Sequence, residues 1–512
     1  MRMRTRDGVE LATTVRLPSE EGRHPVLLVR TPYGRDLVPG PALRLDVDRL
    51  LATGYAVVIQ DVRGTGESGG ELSFFTCEAE DGHDAVRWAA TQPWSDGNVG
   101  MFGDSYLGLT QLLAAQTRPE GLRAIAPSMT PGHYREIAFE GEVAKVNTLL
   151  TIAVMTFAMD ELRRRVARGD AQPADLDAYV AALGLPERFP QVMRELAERL
   201  PLSDQPILND LLPVYARWVS DDPTVWEGGT YDYPSIEVPA LVSTGWHDFF
   251  LNGSIAHYEH LRGDSRLIVG PWSHISHERE LAGRDFGEHA SQHAVDWTGL
   301  HLAWFDHWLR GKPLTGDTVR YFVMGADEWR SAPSWPVEAR RVPYHLGADG
   351  TLGTTPAREG VREFVADPGD PVPTVGGAVM MFDGFGPMDQ RPLDARPDVL
   401  RYLSEPLAAD VEVTGAVELV VRMSTTAESA DVTAKLIDVH PGGRAELLAD
   451  GITRSAGGEV SVALGSIAQV FRAGHRIRLD VAGSNFPKYA RNPGKGVTTI
   501  HAPSYLMLPI RS

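Results

Sequence analysis

Gly97-Asn98-Val99-Gly100-Met101-Phe102-Gly103-Asp104-Ser105-Tyr106-Leu107-Gly108 carries a short strand pattern straight into a helical one, with Ser105 at the junction. A serine on so sharp a strand-to-helix turn is a nucleophile elbow: the turn lifts the hydroxyl above the sheet, and the helix amino terminus favours developing negative charge. Small residues are needed beside it because the flanking backbones nearly touch, and Gly103 meets that need two positions before the serine. The usual G-x-S-x-G spacing is not met, since Leu107 stands where the second glycine belongs and Gly108 comes one residue late. Alone, the stretch also fits a glycine-flanked helix N-cap serine.

Around this junction, residues 25–30 and 55–60 are continuous apolar runs of buried-strand type, and 98–103 and 122–127 are shorter ones. Helical spacing at 81–91 and 106–117 separates them, which predicts an α/β fold with a largely parallel sheet. From about 131 to 234 there is hardly a strand signal; 149–168, 173–183 and 190–200 read as helices with charged faces between Gly and Pro punctuation. Strand runs return at 240–244 and 266–269, so the opening sheet resumes after a helical insertion placed over it as a cap. Beyond about 340 the chain becomes strand-rich. Ile477, Leu479 and Val481 alternate with Arg476, Arg478 and Asp480, the period-two signature of a half-buried antiparallel strand, and 417–423 and 432–439 are similar. This pattern predicts a β-sandwich of jelly-roll type.

Order along the chain strengthens the elbow reading. An α/β-hydrolase presents nucleophile, acid and base as Ser, then Asp or Glu, then His, each after a successive strand. The run 240–244 is followed by Gly245-Trp246-His247-Asp248-Phe249-Phe250, offering Asp248, and 266–269 by Gly270-Pro271-Trp272-Ser273-His274, offering His274. Both lie past strand ends, where open α/β sheets bind ligands. In this reading His274 takes the Ser105 proton and Asp248 orients the imidazole and stabilises its cation. Taken singly, Asp248 fits a helix N-cap and His274 a satisfied core histidine. His247 is a rival base, disfavoured because adjacent side chains after a strand point apart. Phe250 and Trp272 flank the pair, as pocket lining or as core.

The sequence resembles the cocaine esterase and X-prolyl dipeptidyl peptidase family of α/β-hydrolases, which also holds α-amino-acid ester hydrolases. The resemblance rests on Thr31-Pro32-Tyr33, Asp61-Val62-Arg63-Gly64-Thr65-Gly66-Glu67-Ser68, the Gly103 to Gly108 motif with its late glycine, and the acid and base motifs. Trp304-Phe305-Asp306-His307-Trp308-Leu309, Phe322-Val323-Met324-Gly325 and Gly386-Pro387-Met388-Asp389-Gln390-Arg391 carry it to the far end. It implies a hydrolase core over 1–130 and 236–340, a helical cap over 131–235 and a C-terminal jelly roll over 341–512. It also implies an oxyanion hole made by the Tyr33 hydroxyl and the backbone N–H of Tyr106. A fixed phenol and an amide at a helix start can both donate to a tetrahedral oxyanion. Without the resemblance Tyr33 reads as a packing residue.

Composition narrows the partners. At 512 residues the chain has length for about three domains. With 43% hydrophobic and 23% charged residues it matches soluble globular proteins, and a net charge of −19 works against nucleic acid and anionic membrane surfaces. Cys77, the one cysteine, excludes an internal disulfide and a Cys-rich zinc site, which suits a cytoplasmic protein. The basic start lacks an apolar core behind it and so does not look like a secretory signal. His274-Ile275-Ser276-His277-Glu278 is not H-E-x-x-H, and the glycine-rich 63–70 lacks phosphate-loop spacing, so it reads as a structural loop.

The expected activity is therefore a cofactor-independent serine hydrolase that cleaves a small-molecule carboxylic ester through an acyl-enzyme. X-Pro dipeptidyl peptidase, β-lactam or amide acylase and acyltransferase activities use the same machinery. A dipeptidyl peptidase needs acidic groups for the substrate ammonium, and Glu136, Glu140 and Glu142 are the cap's candidates. An inert carbohydrate-binding protein predicts a broken catalytic position, and none of the five is broken. Oligomeric state stays open.

Overall fold

The computed structural model describes residues 1–19, 21–36, 44–72, 76–226, 230–356, 358–380 and 384–511. Its central sheet contains β1 (Arg2–Arg4), β2 (Glu10–Arg16), β3 (His24–Thr31), β4 (Ala56–Asp61), β5 (Ser95–Asp104), β6 (Leu122–Ser128), β7 (Ala240–His247), β8 (Ser265–Ser273), β9 (Val319–Val323) and β10 (Glu328–Ala332). The spatial order is β1-β2-β4-β3-β5-β6-β7-β8-β9-β10. Strands β3 to β9 run parallel, and the edges are closed by antiparallel pairs, β1 with β2, β2 with β4 and β10 with β9. Every residue of β3, β4 and β7 is buried, which is why 25–30 and 55–60 read as continuous apolar runs.

From β3 the chain moves outward to β4, then returns to place β5 on the other side of β3. That reversal opens a crevice at the carboxyl ends of β3 and β5, where such sheets bind ligands. Tyr33 follows β3 and Ser105 follows β5, so topology alone brings them together.

Between β6 and β7 lie mainly helices, including Val146–Ile152, Ala153–Ala158, Met159–Arg168, Pro173–Ala182 and Phe189–Glu198. The expected single helix over 149–168 is interrupted by a π-helical stretch at Ala153–Ala158, a local widening found often at functional sites. The stretch also holds a short antiparallel strand pair, Phe139–Glu140 with Val143–Ala144. The glycine-rich loop does serve structure: Arg164 Nη1 donates to Ser68 O at 2.9 Å, and Asp160 accepts from the Gly66 N–H at 3.1 Å, holding the helices to the sheet.

The C-terminal region is all-β. One sheet includes β11 (Arg340–Leu346), β13 (Val411–Thr425), β16 (Gly458–Phe471) and β18 (Gly496–Arg511) in the order β11-β18-β13-β16. The other holds β12 (Val399–Leu403), β14 (Ala430–Val439), β15 (Ala445–Ser455) and β17 (Arg476–Ala482) in the order β12-β17-β14-β15. Strand β17 is not half-buried as its alternation predicts. Arg478 and Asp480 are buried too, because they pair at 2.7 Å and Arg478 also reaches Asp394 at 2.7 Å on a covering segment. This region meets the core through Met324, whose N–H donates to Ala468 O at 2.9 Å. Cys77 is free and half-buried, just before the helix Glu78–Ala90.

Candidate active site

Ser105 has φ 60° and ψ −121°, a conformation that costs a non-glycine residue on the order of 1–3 kcal/mol. Its N–H donates to Ser128 O at 2.8 Å, tying the turn to β6. A Cβ on Gly103 would lie 2.5 Å from Leu107 Cβ, and one on Gly108 would lie 1.8 Å from Thr130 Oγ1. The late glycine is thus explained by close approach: the helix Tyr106–Gln116 presses on the segment after β6 at position 108.

Strands β7 and β8 run past 244 and 269, where their apolar runs stop, so Asp248 and His274 become the first residues beyond them. His274 Nδ1 lies 2.8 Å from Asp248 Oδ1. The carboxylate also accepts from Thr244 Oγ1 at 3.0 Å and from the Phe250 N–H at 3.1 Å, which fixes its orientation. Phe249 lies against the imidazole with ring centroids 4.2 Å apart. His247 is buried and turned the other way, beside Phe286. Burial pushes its imidazolium down to about 4.

The Tyr33 hydroxyl contacts both the Ser105 side chain and the Tyr106 backbone N–H. Burial raises its phenol above the usual range, so it remains a proton-bearing donor. The Tyr106 ring is anchored below, donating to Glu78 Oε1 at 2.8 Å, while Arg30 holds the same carboxylate at 2.6 Å.

Ser105, His274, Tyr33, Tyr106 and Phe250 open on a cavity of about 380 Å³, walled by apolar side chains such as Leu149, Met155, Phe157, Trp218 and Met380. Trp272 does not line it, which corrects the pocket expectation. Strand β8 bulges between Gly270 and Ser273, and the indole folds over Gly270, where a Cβ would lie 2.3 Å from the ring. Its Nε1 donates to Ala290 O at 2.7 Å, making Trp272 a core residue.

Sequence reading missed Arg44 and Asp104. Arg44 Nε is 2.5 Å from Asp104 Oδ2, and its Nη2 donates to His274 O at 2.8 Å. Burial raises the Asp104 carboxyl against the opposing pull of Arg44. Asp104 stood inside the elbow motif, but nothing in its spacing named a partner sixty positions upstream.

A hydroxyl on a strained elbow, an Asp-oriented imidazole and two donors at one apolar cavity can perform nucleophilic acyl transfer with oxyanion stabilisation. With this sheet, they define the class: a serine hydrolase of the α/β-hydrolase kind. The model of the X-Pro dipeptidyl-peptidase (S15) family matches residues 7–276, and that of the X-Pro dipeptidyl-peptidase C-terminal non-catalytic domain matches 315–507. Cocaine esterase of Rhodococcus sp. (strain MB1 Bresler) is 37% identical, covering 99% of this chain and 97% of its own. The chain belongs to the X-Pro dipeptidyl-peptidase (S15) family. Among solved structures, an aminopeptidase from a marine sediment Thaumarchaeota archaeon has TM-score 0.80 at 22% identity, covering 100% of this chain and 96% of its own. An α-amino acid ester hydrolase has TM-score 0.75 at 24% identity with the same coverages, and both agree in fold.

Proposed function

We propose that the chain hydrolyses carboxylic esters through an acyl-enzyme on Ser105. Ser105 Oγ attacks the ester carbonyl while His274 takes its proton, and Asp248 stabilises the imidazolium. The Tyr33 hydroxyl and the Tyr106 N–H receive the oxyanion. His274 then protonates the departing alcohol, and water, deprotonated by the same imidazole, releases the acid.

The observation that carries the ester preference is the chemistry of the cavity wall. Among the described residues Asp104 is the one carboxylate lining it, and Arg44 neutralises that group. Glu136 turns to the Gly132 N–H, Glu140 accepts from Tyr489 at 2.6 Å and Glu142 is exposed, so none of these three is placed for a substrate ammonium. The kinship with cocaine esterase supports the same preference. Labelling by a fluorophosphonate probe and turnover of a short p-nitrophenyl ester test it, with Ala-Pro-anilide and a penicillin compared by kcat/KM. Higher kcat/KM on the anilide would overturn the ester preference, and an unlabelled wild type would overturn the nucleophile.

Domain limits near 130, 235 and 340 go with this reading. Leaving aside Leu352–Gly353 and Val361–Ala366, which also join the first sheet, the strands β11 to β18 follow the spatial orders first-eighth-third-sixth and second-seventh-fourth-fifth, which supports a jelly roll. A small-molecule substrate and a cytoplasmic setting fit the acidic surface and single cysteine. No helix among the described residues is long and apolar enough to cross a membrane.

A further inference from the structure

Away from the cavity, the all-β region gathers a second set of titratable groups. Asp438 and His440 are two residues apart at the end of β14, hence on one face, and the pairing of Val439 with Arg476 sets His475 opposite His440. One donor atom from each of Asp438, His440 and His475 lies within 4.8 Å of the others. The two imidazole centroids are 4.5 Å apart, and His475 Nδ1 is 2.8 Å from Asp438 Oδ1. Bonds of 2.0–2.1 Å in a tetrahedral zinc site put donors roughly 3.3 Å apart, so these spacings bracket what a metal requires and need only small side-chain movement.

The surroundings resemble the outer shell of a metal site. Asp438 is buried, and its Oδ2 accepts from the buried Gln469 Nε2 at 3.0 Å. His440 Nε2 faces Glu446 Oε2 at 3.6 Å, and both atoms are buried without a hydrogen-bond partner. Such carboxylates behind imidazoles fix ring orientation and strengthen the ligand nitrogen. Arg284 at 3.5 Å and Arg444 at 3.4 Å face Glu446 and offset the charge of that carboxylate. Both imidazoles are half-buried, leaving an approach from solvent.

We infer that Asp438, His440 and His475 bind one divalent transition-metal ion of the zinc class, clamping β14 to β17 apart from the hydrolytic site. Two imidazoles and one carboxylate select zinc, cobalt or nickel over magnesium or calcium.

The test uses the untagged full chain, stripped with EDTA, loaded with Zn²⁺ or Co²⁺ and desalted. One equivalent retained, ligand-field absorption with Co²⁺ and a Tm raised by Zn²⁺ are expected. The double variant His440→Gln/His475→Gln loses all three signals, and Asp438→Asn weakens binding about tenfold or more. Ester turnover reports whether each variant is folded. A measurement without substitution runs alongside: Zn²⁺ protects His440 and His475 from diethyl pyrocarbonate, read by peptide mass. Less than a tenth of an equivalent on the wild type, no protection, or full retention by a folded double variant overturns the site.

Discussion

His274 and His475 each hold an aspartate oxygen 2.8 Å from Nδ1, and each is half-buried at a strand end. Seen as pairs they are nearly interchangeable. They differ in the third partner: His274 faces a cavity with a serine in a strained turn, whereas His475 faces a second imidazole. An Asp–His pair is a general way to orient a ring. In the mechanism proposed above, the elbow, the Tyr33 and Tyr106 donors and the cavity make one pair hydrolytic.

The sharpest way to break this comparison is to remove the third partner. Ser105→Ala should lower ester turnover about 10⁵-fold or more, leaving what binding and oxyanion donors supply. Matched changes in the two pairs come next: Asp248→Asn should cost about 10⁴-fold in kcat, by upsetting the imidazole tautomer, while Asp438→Asn should stay within about twofold. Comparable losses in the two variants, measured on one p-nitrophenyl ester, would erase the distinction. Tyr33→Phe should cost about 10²- to 10³-fold. A loss below about threefold would remove its hydroxyl from the mechanism.

His247 sharpens the comparison from the opposite side, as a buried imidazole beside Asp248 in sequence but turned away from it. Its pKa falls from 6.5 to about 4, chiefly through burial. The folded chain thus binds fewer protons there than the unfolded chain between those values. The group's stabilising contribution is complete above pH 6.5 and is lost as pH falls towards 4, a change of roughly 3 kcal/mol, or about 10²-fold in the folding constant. In His247→Phe the drop in denaturant midpoint between pH 7.5 and 4.5 should be smaller than in wild type. An unchanged drop would exclude His247 as a source of acid sensitivity.

The parts legible in the sequence are those in which backbone pattern and chemistry coincide. Unbroken apolar runs marked β3 and β4, and Ser105, Asp248 and His274 could be placed because each follows a strand. Trp272, which the sequence left between pocket and core, went to the core because a bulge folds its indole over Gly270. Arg478 and Asp480 misled because a distant segment covered a face that alternation marks as solvent-exposed. The cavity walls combine Met155 from a π-helical stretch with Met380 from a loop, contacts to which no period corresponds. The 438–475 cluster needed strand register, which is absent from a one-dimensional reading.

Arg44 tests how far the difference between the two pairs depends on holding the parts together. Its guanidinium bonds the carboxylate preceding the nucleophile and the backbone carbonyl of His274, so it spans elbow and base. Positioning errors of about 1 Å can cost up to 10²-fold, and Asp248 still orients the ring when Arg44 is gone, so Arg44→Gln should lower kcat about tenfold. The Asp104 carboxylate would then stand unpaired at the cavity wall, where KM for a neutral ester should change less than kcat. Arg44→Lys restores the charge but not the two-armed reach, so partial recovery is expected. Equal loss in kcat and gain in KM, with no recovery in Arg44→Lys, would make the residue a wall of the cavity and leave the His274–Asp248 pair to hold its own position.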